Sequence, residues 1–355
     1  MKSPFRLPTV RNELSVAPIV MIDVGAAGGI QQLWRDQESG PFVRYFGFEP
    51  HPANFAALRD DTQTRYFQMA LSDRAGTLPF HARTTVGSLV PRHDREAIGD
   101  SFDLIEVNVS TIKALASSGI VPAPDIIKTD VERHDYAVLV GAADHLDRAL
   151  CVVSEFEYYR TPGGHNFSAF DQLLTERRMM LFGLAQKNGI VGELAGGDLL
   201  YLRDVGSIVG DMIAPPSAKR TRIIKLFVIC VMLRQSRYAF VVAKSGADVG
   251  LLTHEEFVEL SSFLDRLTQL NLVIPRFPSA IRYRIAHALG FFGQLVLGPG
   301  SEGKSSPRSN QLVPYRRMFV DGRWIPGSWR RRQRKRFEQA YEHFRKLRGV
   351  FYGPG

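Results

Sequence analysis

The front of the chain alternates short apolar runs with amphipathic stretches. Residues 18–24 are apolar except for Asp23, the pattern of a strand buried on both faces. Similar runs recur at 44–49, 66–71, 125–130 and 150–155, and those at 44–49 and 125–130 end in the acids Glu49 and Asp130. Further runs at 104–109, 179–184 and 199–202 read as added strands. Between them, residues 31–37, 52–58, 136–143 and 170–177 read as helices. Pro52 at a first helical position gives up no hydrogen bond. This order predicts an α/β fold, a mostly parallel sheet with helices on both faces. Ligands of such sheets sit beyond the carboxyl ends of the strands. Asp23, Glu49 and Asp130 should therefore meet at one edge. Each alone reads equally well as a solvated loop carboxylate or a helix cap.

The first strand runs into Asp23-Val24-Gly25-Ala26-Ala27-Gly28-Gly29. Glycine permits positive φ and close approach of a ligand to the backbone. The spacing is neither the dinucleotide fingerprint nor a phosphate-binding loop with Gly-Lys-Ser/Thr. It suits a nucleoside without a pyrophosphate, or a plain structural turn. Glu49 ends the next strand, where an acid can accept both hydroxyls of a ribose. The pair fits S-adenosylmethionine as well as NAD, and the missing fingerprint favours the former.

Composition divides the chain in two. Residues 1–214 carry 20 Lys and Arg against 27 Asp and Glu, whereas residues 215–355 carry 25 against 9. The break falls near Ala214-Pro215-Pro216-Ser217, so we expect a front domain over 1–205, a linker over 206–220 and a basic, mainly helical region over 221–355. In that region Thr253-His254-Glu255-Glu256 is a capping box opening a helix through Leu270. Ile281, Ile285, Leu289, Phe292 and Val296 form a second apolar stripe, and residues 298–307 read as a flexible linker. Arg330–Arg336 is a dense basic run, with Trp324 and Trp329 before it and Phe337, Tyr341, Phe344 and Leu347 at helical spacing after it. Such an end suits an anionic surface, a membrane first and RNA second. Packing of the stripe on the front domain is the bland alternative. The longest strongly apolar, uncharged run, 226–233, is too short to span a bilayer. No signal peptide is read at the start of the chain. Two cysteines, Cys151 and Cys230, sit in apolar runs, as buried free thiols of a reducing cytoplasm do.

Several ordered blocks then resemble the FkbM-like family of S-adenosylmethionine-dependent methyltransferases. The opening block is Asp23–Gly29. The second is Phe48-Glu49-Pro50-His51-Pro52-Ala53-Asn54-Phe55. The third is Ala70-Leu71-Ser72-Asp73 followed by Gly76-Thr77-Leu78-Pro79-Phe80, and the fourth Gly87-Ser88-Leu89. The fifth is Lys128-Thr129-Asp130-Val131-Glu132, continuing to Val138-Leu139-Val140-Gly141-Ala142. The resemblance covers roughly residues 18–160. It implies a class I methyltransferase (Rossmann-like) sheet that binds S-adenosyl-L-methionine through Asp23, Gly25, Ala26, Gly29, Glu49, Pro50, Leu71 and Ser72. Two departures stand out: Ala27 where the family usually has Asn, and Arg133 where Gly usually follows Val-Glu. The arginine bears on the acceptor pocket or the local turn.

Methyl transfer from a sulfonium needs alignment above all. A sugar hydroxyl also needs a base, because it is barely acidic. Asp130, Glu132, His134 and His165 are the candidates, with Asp130 best placed at a strand end. His165 lies in an aromatic, polar loop, 158–166, that could act as a lid or acceptor wall. Glu155 and Glu157 could line the acceptor site, stay solvated, or join Asp130 on a metal, though no Cys/His cluster has metal spacing. The reading is a cytoplasmic O-methyltransferase acting on a hydroxyl of a sugar, glycan or small metabolite. The alternative is a weakly active or inactive methyltransferase-fold module that serves as a scaffold on RNA, a membrane or a protein complex.

Overall fold

The computed structural model describes residues 3–31, 34–35, 39–83, 86–90, 101–157, 165–188, 194–270 and 338–339. Eleven strands form two sheets among them. The larger contains β1 (Ile19–Val24), β2 (Val43–Phe48), β3 (Thr64–Phe67), β8 (Ile126–Thr129), β9 (Cys151–Glu157), β10 (Met179–Asn188) and β11 (Leu194–Arg203). Its order is β10-β11-β9-β8-β1-β2-β3. Strands β1, β2, β3, β8 and β9 pair in parallel, while β11 runs antiparallel to both β9 and β10. Strand order reverses between β1 and β8, and a crevice opens outside the carboxyl ends at such a point. The fold is the α/β doubly wound sheet the sequence predicts.

Alternate residues of β1 feed two cores, as the period of a strand requires. Ile19 and Met21 join one apolar cluster, Ile22 and Val24 the other. The second cluster lies against α3 (Ile112–Ser117), α4 (Asp135–Ala142), α5 (His145–Arg148) and α6 (Phe167–Thr175). The first is covered by α1 (Pro8–Val16), α8 (Pro216–Met232), α9 (Ser236–Asp248) and α10 (His254–Leu270). Ile223, Ile224 and Leu226 to Val231 of α8 are buried. The helices that follow residue 216 thus share one core with the sheet, and α7 (Val205–Val209) leads into them.

Polar ties fix this layer. Lys225 Nζ donates to Asp125 Oδ2 at 2.7 Å, and the Val20 N–H donates to the same oxygen at 2.9 Å. Arg220 of α8 bridges Glu13 of α1 and Glu256 of α10 at 3.1 and 2.7 Å. The expected capping box is present: the Glu256 N–H donates to Thr253 Oγ1 and the Thr253 N–H to Glu256 Oε2.

The smaller sheet, between β3 and β8 in sequence, has the order β4-β7-β5-β6. It comprises β4 (Ala70–Leu71), β5 (Gly76–Arg83), β6 (Val86–Ser88) and β7 (Asp103–Ser110). The single strand expected at 66–71 is therefore two. A turn closed by the Met69 N–H on the Phe67 carbonyl ends β3 and sends the chain to the second sheet. Gly87 lacks a Cβ because Phe80 fills that space. Gln31, Trp34 and Arg35 are not helical, and the rest of the helix expected at 31–37 lies outside the described residues. So do the stripe at 281–296, the linker at 298–307 and the basic run at 330–336. No described helix is long and apolar enough to cross a membrane.

Candidate active site

Three strand ends are fastened to one another. The Gly25 and Ala26 N–H groups both donate to the Phe48 carbonyl at 3.0 Å, joining β1 to β2. The Asp130 N–H donates to the Val24 carbonyl at 3.0 Å, joining β8 to β1. Gly25 has φ +84° and lies so close to the Asp130 carbonyl that a Cβ would overlap it. Gly28 and Gly29 also have positive φ. Tyr66 lies over Gly47 of β2, in space a Cβ would take, and its hydroxyl accepts from the Ile30 N–H at 3.1 Å. The sequence reading passed over both Tyr66 and Gly47. Only the register Gly47↔Tyr66 brings them together.

Asp23 is 1% exposed and its Oδ1 accepts from Lys128 Nζ at 2.8 Å. The other carboxylate oxygen, Oδ2, is buried without a hydrogen-bond partner. Burial raises the Asp23 pKa and Lys128 pulls against it. Burial also works against the Lys128 ammonium, but Asp23 and Asp130 outweigh it, so the lysine stays protonated. Glu49 is 4% exposed; its Oε1 accepts from the His51 N–H at 2.8 Å and from Asn54 Nδ2 at 3.5 Å. Burial raises its pKa and these two bonds oppose the rise. Pro50 and His51 then turn the chain into α2 (Pro52–Ala56), with the His51 ring accepting from the Asn54 N–H.

Leu71 and Ser72 have side-chain contacts within the protein. Leu71 lies in the apolar core. The Ser72 hydroxyl donates to Asp73 Oδ1 and also meets His134 Nε2, both at 2.8 Å. Burial lowers the His134 pKa, with Asp73 opposing and Arg74 and His165 adding to the fall. His134 therefore serves the junction between the small sheet and α4. Gly141 allows that junction, since a Cβ there would overlap the Ser72 carbonyl.

The chain leaves β8 through two residues with left-handed backbone, Glu132 at φ +54° and Arg133 at +80°. Arg133 thus stands where the backbone favours glycine, which explains why Gly is usual there in the family it resembles. Ser88 of the small sheet donates to the Glu132 carbonyl at 2.6 Å and holds this turn. Arg133 Nε donates to Glu157 Oε1 of β9 at 2.8 Å. Beside the turn is a pocket lined by Glu132, Arg133, Asp135, Glu155, Glu157 and His165, with Phe156 and Phe170 as its apolar wall. His165 stacks on Tyr136, ring centroids 3.9 Å apart. Its pKa is lowered by burial. The rest of the expected lid, residues 158–164, lies outside the described residues.

Asp130, the favoured base from sequence, is not among the described lining residues; its side chain is 46% exposed and 4.0 Å from Lys128 Nζ. It does not cap α4 either, whose N-cap is His134. The sequence reading missed Asp135. It is 1% exposed, accepts from the Val131 N–H at 3.3 Å through Oδ1, and has Oδ2 buried without a partner. Burial pushes its carboxyl up to about 7; the Thr129 hydroxyl and the Val131 N–H pull it down and the Asp130 charge pushes it further up.

Residues 23–180 match a family model described as the methyltransferase FkbM domain. No curated protein matches the chain. Among solved structures, magnesium protoporphyrin IX methyltransferase from Synechocystis PCC 6803 with bound SAM is 10% identical, over 56% of this chain and 80% of that one, with a TM-score of 0.29. A putative S-adenosylmethionine dependent methyltransferase from Listeria monocytogenes is 8% identical over 55% and 98%, with a TM-score of 0.31. The 1,6-didemethyltoxoflavin-N1-methyltransferase from Burkholderia thailandensis, with bound 1,6-didemethyltoxoflavin and S-adenosylhomocysteine, is 13% identical over 56% and 79%, with a TM-score of 0.27. These are distant likenesses.

Proposed function

We propose that the methyltransferase FkbM domain carried by residues 23–180 moves a methyl group from S-adenosyl-L-methionine to a hydroxyl of a sugar, a glycan or a small metabolite. The observation that carries this reading is that the glycine turn after β1, the buried Glu49 after β2 and the acid-lined pocket beyond β8 and β9 all lie at the carboxyl ends of neighbouring parallel strands. The residues fit the cofactor. Every side-chain bond of Glu49 to described residues goes to Oε1, which leaves Oε2 to accept from ribose hydroxyls. The turn from Gly25 to Gly29 presents backbone rather than side chains at the sheet edge. The unpartnered Asp23 Oδ2 suits a ligand N–H donor.

When bound, the cofactor supplies a methyl group already activated by its sulfonium. The chain then has to hold the acceptor in line and take its proton. Carboxylates in the pocket accept from hydroxyls, and the His165–Tyr136 stack offers a flat ring surface, as a sugar ring requires. The two cysteines are buried and unpaired, in keeping with a cytoplasmic enzyme.

Replacing Glu49 tests the reading. Hydrogen bonds to a charged group are worth about 1.5–3 kcal/mol, so Glu49→Ala should weaken S-adenosylhomocysteine binding roughly 10- to 150-fold by calorimetry. Unchanged affinity would remove Glu49 from the site, and tight NAD binding would remove the cofactor assignment. The charge of the basic end supports a second part of the reading, docking on an anionic membrane surface, with RNA as the rival. Co-sedimentation of the full chain and a 328–355 deletion with neutral and acidic vesicles, beside an RNA gel-shift, separates the two. No change in either would make the end structural.

A further inference from the structure

We propose that Asp135, rather than Asp130, is the catalytic base of this pocket and receives the acceptor's hydroxyl proton on Oδ2. The inference rests on the hydroxyl-acceptor reading above. It starts from what each lining carboxylate already does. Glu157 is paired with Arg133, and Glu132 and Glu155 are engaged as well. Among the described residues, Asp135 is the lining acid that keeps a buried oxygen without a hydrogen-bond partner. His134 is bonded to Ser72, and Asp130 sits outside the described lining, exposed and beside Lys128.

The surroundings set the right basicity. Lys128 and Asp130 face Asp135 from the end of β8, and Glu132, Arg133 and His134 from its own turn. Glu155 and Glu157 face it from β9, and His165 from the start of α6. Acids outnumber cations there, and the carboxyl is buried. Its pKa of about 7 lies where a general base works best near neutral pH, poised between ionised and protonated. In the step, the acceptor oxygen bonds to the methyl carbon. The methyl–sulfur bond breaks and leaves its electron pair on sulfur, which loses its positive charge. The hydroxyl proton passes to the Asp135 carboxylate and later to water.

The test uses the full chain, with Asp135→Asn and Asp130→Asn beside the wild type. Calorimetry with S-adenosylhomocysteine should give the same affinity for all three. Carbon-13 labelling of the aspartate carboxyls should show one resonance titrating near pH 7 in the wild type and missing from Asp135→Asn. Transfer of labelled methyl from S-adenosylmethionine to a panel of methyl glycosides, from pH 5.5 to 9, should show a rate that climbs through about pH 7. Asp135→Asn should be slower by a factor on the order of 10²–10⁴ and lose that limb, while Asp130→Asn keeps it. If Asp135→Asn loses cofactor binding, Asp135→Glu takes its place and should keep the limb at a reduced rate. An Asp135→Asn enzyme with normal rate and an unchanged limb overturns the proposal. If the wild type methylates no glycoside, the acceptor reading fails on its own. The titration then decides, and aspartates that all titrate below about pH 5 overturn the assignment.

Discussion

The turns that follow β1 and β8 meet the same steric demand with different residues. After β1 the left-handed positions are Gly25, Gly28 and Gly29; after β8 they are Glu132 and Arg133. Left-handed backbone costs about 1–2 kcal/mol at a residue with a Cβ and nothing comparable at glycine. The first turn uses that freedom to bring backbone against backbone at Asp130. The second bears the cost and delivers two charged side chains to the pocket. Each turn also has a buried aspartate with one unpartnered oxygen. Asp23 has the Lys128 ammonium at 2.8 Å; Asp135 has no cation within salt-bridge distance among the described residues. The Lys128 ammonium opposes the rise that burial gives Asp23, whereas no such cation opposes burial at Asp135, whose carboxyl is pushed up to about 7.

The largest effect should come from breaking the first arrangement. Lys128→Met leaves Asp23 buried and unpaired, which should cost about 3–5 kcal/mol in urea unfolding. Adding Asp23→Leu should recover most of that loss, because two apolar residues no longer strand a charge. The second effect concerns pH. Asp135 has a folded pKa of about 7 against about 3.9 unfolded, so the folded state holds an extra proton between those values. Its contribution is present below about pH 4 and is lost as pH rises through about 7, on the order of 4 kcal/mol in all. Relative to Asp135→Asn, the wild type should therefore lose stability between pH 4.5 and 8; parallel curves would show that Asp135 is ionised throughout.

Smaller effects separate the two backbones. Gly25→Ala should cost about 2–3 kcal/mol, from left-handed strain and overlap with the Asp130 carbonyl together. At Arg133 the expected sign differs. Arg133→Gly relieves strain but loses the Glu157 pair and loosens the unfolded chain, so its stability should stay within about 1 kcal/mol of the wild type. Arg133→Ala loses the same pair and keeps the strain, and should be less stable than Arg133→Gly by about 1 kcal/mol. Equal stabilities would mean that the turn relaxes away from left-handed backbone once the arginine is gone.

The chain's order of apolar runs was enough to foresee the parallel sheet and to bring Asp23, Glu49 and Asp130 to its carboxyl edge. A buried strand has a signature of its own, and strand ends carry ligands by topology. The capping box at Thr253 was equally legible, because both its bonds lie within four residues. The hairpin β5–β6 was not read, since its exposed, polar-rich strands lack a continuous apolar run. Nor did the stripes of α8 to α10 say which surface they cover. An amphipathic pattern tells that a face is buried and not against what, and here the answer was the face of β1 that carries Ile19 and Met21. Asp135 shows the same limit at the site. In sequence it is an ordinary acid at a helix start. Its burial comes from β9 and α6, which close on it from 20 or more residues away. Local residue order determined the elements and the strand-end acids. The tertiary structure alone decided which acid is deprived of water and of a partner, because desolvation depends on everything packed around a group and not on its neighbours along the chain.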